Sequence, residues 1–338
     1  MAQRGWLELT EGRHYQHLLW KNASLAHWPQ FLFCPLSITT ERGKSAQTCS
    51  IPVVPVKHQP PAGDNTLHAC VKVLHNNYNA WWRVLMFAEF WRFAGVSHVW
   101  VHVHSRSRDV ALVLEYYRKQ GLFTLLPAGM RDESAFQPSE HLQIQECQLR
   151  LSGVVPFVIR DQVDWDEFIL YNDATLNKAN FIVDFLASSR RTEPDFDNIG
   201  AWLFHQIAAY DLGPRTVVAN NTNSSGSIGL QTRETLRTLF ETLTTERLTT
   251  SAVLPVPTRS KLIIRPETVD RQLVHTVEKF LEKRFYSKTV NDDVMRLWHL
   301  REQTLIGSTK HSTLNPFKAI SATITDRVLD TFSAILKR

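Results

Sequence analysis

Between His68 and Leu126 the sequence switches back and forth between two hydrophobic periods, and this alternation limits the fold more than any other feature. The segment HACVKVL (His68–Leu74) is apolar and β-branched enough for a core strand. YNAWWRVLMFAEFWRF (Tyr78–Phe93) is apolar nearly all round a helix, and Gly95 follows where a left-handed cap would close it. VSHVWVHVHS (Val96–Ser105) alternates as a strand, Asp109–Gln120 reads as a helix closed by Gly121, and Leu122–Leu126 reads as a third strand. Strand, helix, strand, helix, strand in that order predicts an α/β fold with a sheet wound by helices. With 43% of 338 residues hydrophobic there is ample material for its core, and intrinsic disorder, collagen and coiled coil are excluded.

Further along, Glu140–Leu151 suits a helix, and Pro156–Ile159 a short strand that leads into DQVDWDEFI (Asp161–Ile169). Thr175–Ser188 reads as an amphipathic helix, Leu262–Ile264 as a strand ended by Pro266, and Ile320–Lys337 as a terminal amphipathic helix. IPVVPVKHQPPAG (Ile51–Gly63) carries four prolines and reads as an extended connector; Ala219–Gly229 is a polar loop. The expected organisation is an N-terminal extension over 1–65, a single wound domain over 66–310 and a C-terminal helix over 311–338.

The balance of 38 basic and 33 acidic residues leaves a net charge of +5, spread along the chain. Nucleic-acid binders concentrate Lys and Arg into a stripe, so nucleic acid is not the expected partner. Nothing in the first 60 residues approaches the ~18 apolar residues of a membrane span, nor a signal-peptide core. Cys34, Cys49, Cys70 and Cys147 show no CxxC or zinc-finger spacing, and both two disulfides and buried thiols stay open. Sequons at Asn22, Asn220 and Asn223 permit a secretory location without requiring one.

The acidic cluster Asp164-Trp165-Asp166-Glu167 follows an apolar strand, and in a wound sheet ligands bind beyond the carboxyl ends of strands. Two carboxylates one residue apart can share a hard divalent cation, which takes its remaining ligands from substrate phosphates and neutralises a diphosphate leaving group. The competing reading is a solvated acidic loop. His102 and His104 could grip zinc, but no third ligand is near in sequence, and a polar sheet face accounts for them better. His275 stands alone among apolar neighbours. The segment WHLRE (Trp298–Glu302) can offer a cation to a phosphate, or be one turn of a surface helix. There is no GxGxxG, Walker loop, HExxH or GxSxG. The aromatic run from Trp81 to Phe93 reads as core.

In order along the chain, MFAEFWRFAGVSH (Met86–His98), VHVHS (Val101–Ser105), LVLEYYRKQG (Leu112–Gly121), DWDEF (Asp164–Phe168), SKLIIRP (Ser260–Pro266), then Val274-His275 and His299-Leu300-Arg301, resemble glycosyltransferase family 92 from about His68 to Glu302. The resemblance implies a Rossmann-like GT-A fold, a nucleotide-sugar donor with UDP-galactose favoured, and a glycan acceptor. It also implies a divalent cation (Mn²⁺ favoured, Mg²⁺ possible) and inversion at the anomeric carbon. Asp164 and Asp166 then form the metal motif, with Asp166 favoured over Asp164 as the direct ligand and His275 a third ligand or a diphosphate contact. Asp164, Asp166, His299 and Arg301 bind the donor, and Glu167 and Trp202 face the acceptor. The base that inversion requires is not identified by the resemblance; Asp197 and Glu146 are candidates. Members of the family carry an N-terminal membrane anchor in the Golgi, and this chain shows none. Two departures stand out. Where the family has Trp followed by FGSSG the chain has WLFHQ (Trp202–Gln206), and Glu146-Cys147 replaces Asp-Cys. They leave open a relative that binds sugar nucleotide or glycan without transfer.

Overall fold

A computed structural model describes residues 66–128, 136–211, 233–234, 236–237, 248–301, 310–311 and 315–337. The Pro-rich connector, the Ala219–Gly229 loop, the three sequons and Glu302 lie outside these residues.

The expected β-α-β-α-β run is present as β1 (Leu67–Leu74), α1 (Trp81–Ala94), β2 (Val96–Val103), α2 (Arg108–Lys119) and β3 (Phe123–Pro127). Local signals set its boundaries. Gly95 adopts φ 108°, and its N–H bonds the Arg92 carbonyl to close α1. A Cβ at Gly95 would also lie 2.6 Å from Val183 Cγ2, so the position is closed to other residues on two counts. The Ser107 side chain accepts from Val110 N at 3.2 Å and caps α2.

The chain continues through α3 (Phe136–Leu151), β4 (Phe157–Val163), β5 (Glu167–Tyr171), α4 (Phe181–Thr192), β6 (Ile199–Phe204), β7 (Gln206–Asp211), β8 (Leu248–Thr250) and β9 (Lys261–Ile264). A hairpin of β10 (Val269–Gln272) and β11 (Val277–Phe280) follows, then β12 (Tyr286–Thr289), β13 (Met295–Arg301), β14 (Lys310–His311) and α5 (Ser321–Leu336). Two expectations are corrected. The helix read over Thr175–Ser188 begins only at Phe181, because Asn177 turns back to bond both the N–H and the carbonyl of Tyr171 and Asn180 takes φ 65°. The Trp298–Arg301 segment is a strand rather than a helical turn.

Among the described residues the main sheet has seven strands in the order β12-β6-β9-β4-β1-β2-β3, parallel except for β9, which runs antiparallel to both β4 and β6. This is the wound mixed sheet with flanking helices that the GT-A resemblance implies. A second sheet, β14-β8-β7-β13-β5, starts where β5 leaves the end of β4. Alternation along the strands feeds two apolar clusters. Leu67, Ala69, Val71 and Ile263 join the larger one with α1, α2, α4 and α5, whereas Cys70, Val158, Leu262 and Ile264 join Cys147 and Leu151 of α3. Each fully buried large apolar side chain stabilises by about 1.5–3 kcal/mol. Cys70 and Cys147 are disulfide-bonded, tying α3 to β1, which settles half of the cysteine question.

Helix α5 docks on α1 through a Trp81–Phe332 stack with centroids 5.8 Å apart. Beneath it Glu89 is closed from solvent and accepts from Tyr117 Oη (2.9 Å), Thr331 Oγ1 (2.9 Å) and Arg327 Nε (3.0 Å). Every oxygen of this buried carboxylate is used, as burial of a charge requires. No helix among the described residues is long and apolar enough to cross a membrane.

Candidate active site

The acidic cluster occupies the crossing between the two sheets. Asp164 follows the last residue of β4, Asp166 precedes β5, and Glu167 is the first residue of β5. Backbone bonds fold this turn on itself, with Glu167 N donating to Asp164 O at 3.0 Å and Leu300 N donating to Asp166 O at 2.8 Å. Asp164 N in turn donates to Glu167 Oε2 at 2.9 Å. The three acidic side chains are thereby held against the carboxyl end of β4, where a wound sheet presents its ligand site.

Each carboxylate has its own cation, delivered by a different element. Lys72 Nζ of β1 lies 3.0 Å from Asp164 Oδ1. Arg83 Nη1 of α1 lies 3.2 Å from Asp166 Oδ2, with its guanidinium 5.1 Å above the Trp82 ring. Lys261 Nζ of β9 lies 3.2 Å from Glu167 Oε2. Left-handed Asn76 (φ 54°) and Asn77 (φ 47°) turn the chain between β1 and α1, so that Lys72 and Arg83 reach the same cluster. His299 on β13 stands opposite Glu167 in the β5–β13 pairing. Its Nε2 is 3.3 Å from Asp166 Oδ1 and its Nδ1 is 3.3 Å from Glu167 Oε1. Gln206 Nε2 of β7 donates to Glu167 Oε1 (3.1 Å) and lies 2.9 Å from His299 Nδ1, so that Gln206 ties the histidine to the buried glutamate.

Burial and charge act in opposite directions on these groups. For Asp164 burial raises the pKa, but Lys261, Lys72 and His299 outweigh it and hold the carboxyl below its ordinary range. Glu167 is fully buried, and desolvation leaves it raised despite Lys261. The hydroxyl of nearby Tyr78 is pushed up, mainly by burial.

Asp164, Glu167 and His299 offer three ligand atoms that all lie within 4.8 Å of one another, a spacing and an O/O/N donor set that suit a divalent cation. His275 donates from Nδ1 to the Ser260 carbonyl, 3.0 Å away, and burial, helped by Lys261 and Arg259, holds its pKa below the ordinary value although the Ser260 bond and Asp164 act to raise it. An imidazole held through Nδ1 keeps Nε2 free of that bond.

The other expected site residues are spread over the fold. Arg301 ends β13, two residues beyond His299 on the same sheet face. Glu167 lies beneath the Asp164–Asp166 turn, closed from solvent, and does not face outward to an acceptor. Trp202 is 1% exposed, packed between Phe157 and Phe196 with centroids 5.8 and 5.6 Å away, and has no face for a sugar. Asp197 precedes β6, at the opposite end of the sheet from Asp164. Glu146 on α3 pairs with His102 and Arg150. Burial raises that carboxyl, but those partners outweigh it and hold it at about 2, too weak a base to take a hydroxyl proton. His102 is thereby a paired histidine of the sheet face, as its neighbour His98 is through Gly121 O and Thr124 Oγ1.

Sequence reasoning missed Lys72, Arg83, Lys261 and Gln206. A signal existed for three of them: Lys72 and Lys261 are the single cations of apolar strands and Arg83 is a cation within a largely apolar helix, where burial demands a partner. Gln206 closes the WLFHQ segment that departs from the family pattern, so a departure carries part of the site.

Two solved structures of glucosyl-3-phosphoglycerate synthase from Mycobacterium tuberculosis are similar to this chain. One, in complex with phosphoglyceric acid, is 14% identical over 60% of this chain and 58% of its own, with a TM-score of 0.28. The other, with Mn²⁺, uridine-diphosphate-glucose and phosphoglyceric acid, is 15% identical over 63% and 64%, also at 0.28. The chain thus spans about three fifths of the length of these structures. No curated protein matches the chain. The family model for glycosyltransferase family 92 matches residues 65–334, from the start of β1 into α5. The protein belongs to glycosyltransferase family 92.

Proposed function

We propose that this glycosyltransferase moves a hexose, galactose in the first instance, from a nucleotide-sugar donor to a glycan acceptor, with inversion and with a divalent cation such as Mn²⁺. The observation that carries the reading is the Asp164–Asp166 turn at the end of β4, where two half-open carboxylates stand over a buried Glu167–Lys261 pair.

Asp164 and Asp166 hold the cation, with His275 completing the set. Glu167 is already committed to Lys261, Gln206 and the Asp164 N–H, and so supports the turn from below. When bound, the cation supplies charge neutralisation for the departing diphosphate. His299 orients Asp166 through Nε2, and Arg301 lies on the same face for donor phosphates. The acceptor hydroxyl gives its proton to a carboxylate base, for which Glu146 is a poor choice because its pairing with His102 and Arg150 holds it at about 2. The Cys70–Cys147 disulfide supports an oxidising, secretory location, consistent with a Golgi enzyme. The domain over 66–310 then carries the transferase site, and the C-terminal helix within 311–338 packs onto it through α1.

The test is release of nucleoside diphosphate from a panel of nucleotide sugars with a mixed glycan acceptor, in Mn²⁺ and in EDTA. Release from UDP-galactose alone, abolished by EDTA, is the expected result. Binding of UDP with no release from any donor would instead support the non-catalytic relative, and release that survives EDTA would remove the metal.

A further inference from the structure

The three acid–base pairs of the cluster differ in one respect that bears on donor binding. Lys261 and Glu167 are 4% and 1% exposed, and neither can leave the other without stranding a buried charge. Lys72 and Asp164 are 30% and 23% exposed, and Arg83 and Asp166 are 17% and 16% exposed. These four side chains keep part of their surface in solvent, so they change partner at a lower desolvation cost than Lys261 and Glu167. As the cluster stands, the positive charges of Lys72, Arg83 and Lys261 already balance Asp164, Asp166 and Glu167. A divalent cation arriving alone therefore competes with Lys72 and Arg83 for the same oxygens. A diphosphate arriving alone finds those two cations occupied and carboxylates beside it.

We propose that Lys72 and Arg83 are donor-diphosphate residues held in reserve by Asp164 and Asp166. They move to phosphate oxygens when cation and nucleoside diphosphate bind together, so that the two ligands bind as a couple and each binds weakly alone. This deepens the donor reading above and rests on it. The exchange restores the balance: the carboxylates trade a basic side chain for the metal, and the basic side chains trade a carboxylate for phosphate. It also carries a sign that ordinary loss of a phosphate contact does not. Removing the Lys72 charge takes away a competitor, so the metal alone should bind more tightly.

The experiment is calorimetric titration of the full chain with MnCl₂ alone, with UDP in EDTA, and with UDP in saturating Mn²⁺, for the wild type, Lys72→Met and Lys72→Arg. In the wild type Mn²⁺ should tighten UDP by about ten-fold or more. Lys72→Met should bind Mn²⁺ alone about five-fold more tightly than the wild type, and its coupling should fall to about two-fold or less. Lys72→Arg, which keeps the charge and guards against a folding artefact, should keep the coupling. Mn²⁺ binding to Lys72→Met that is equal to or weaker than in the wild type would overturn the proposal. Independent binding of the two probes by the wild type would overturn it as well and leave the donor reading standing. UDP that binds in no arm would overturn the donor reading and the proposal with it.

Discussion

Two clusters in this molecule pair carboxylates with basic side chains, and they have opposite characters. At Glu89 one buried carboxylate gathers a tyrosine, a threonine and an arginine from α2 and α5, with short bonds to each. At the Asp164–Glu167 turn three carboxylates face three cations and a histidine, and two of those pairs open to solvent. The chemistry is similar, and burial decides what it does. A closed, fully bonded carboxylate can only hold helices together, because any change of partner strands a charge. An open pair held at the end of a sheet strand can exchange partners, which a binding site requires.

The sharpest way to break this comparison is Asp166→Asn. If the turn is catalytic, transfer should fall by about 10²-fold or more while the melting temperature stays within a few degrees of wild type. An unfolded variant, or one with near-normal transfer, would place Asp166 among the structural groups.

Glu89→Ala should show the reverse pattern. Leaving the buried Tyr117 and Thr331 hydroxyls without their acceptor should destabilise by about 1–3 kcal/mol, read by denaturant midpoint, with kcat of the folded fraction unchanged. A large loss of kcat at full stability would contradict a purely structural role.

Gly95→Ala tests the joint between α1 and β2, where neither cluster has a member. A left-handed φ and a contact with Val183 should together cost about 1–3 kcal/mol with activity retained in the folded protein.

The smallest effect concerns acid stability. The folded Glu146 carboxyl is held at about 2, against an ordinary 4.5, by His102 and Arg150 acting against burial. Its folded pKa is depressed, so its contribution is fully present above about pH 4.5 and is lost as pH falls towards 2. Wild-type denaturation midpoints should therefore fall more steeply than those of Glu146→Gln across that interval. Parallel curves would show that the pairing adds nothing.

Much of the fold was legible because it rests on local periodicity. The β1-α1-β2-α2-β3 run, its Gly95 cap and the terminal helix come from residue spacing that any short window contains. The helix over Thr175–Ser188 misled because its break depends on Asn177 reaching back to the Tyr171 backbone, a six-residue contact that no hydrophobic pattern records. Trp298–Arg301 was ambiguous for a related reason: a strand buried on both sides has no alternation to read. For the site, Asp164, Asp166 and His299 were legible because they sit in a compact motif at a strand end. Trp202 was misplaced because an aromatic beside a motif looks the same from sequence whether it lines a cleft or fills a core.

By itself, then, the sequence determined a wound α/β chain of family 92 and the acidic turn that centres it, since strand order and motif spacing are properties of neighbours along the chain. Tertiary structure alone decided which cation meets which carboxylate, and which of those pairs is shut in and which stays open. Lys72, Arg83 and Lys261 come from β1, α1 and β9, far apart in sequence, and they converge only because a sheet with one reversed strand brings those elements to a single edge. Solvent access at that edge is a property of the packed whole, and it is solvent access that separates a fixed ion pair from one able to change partner.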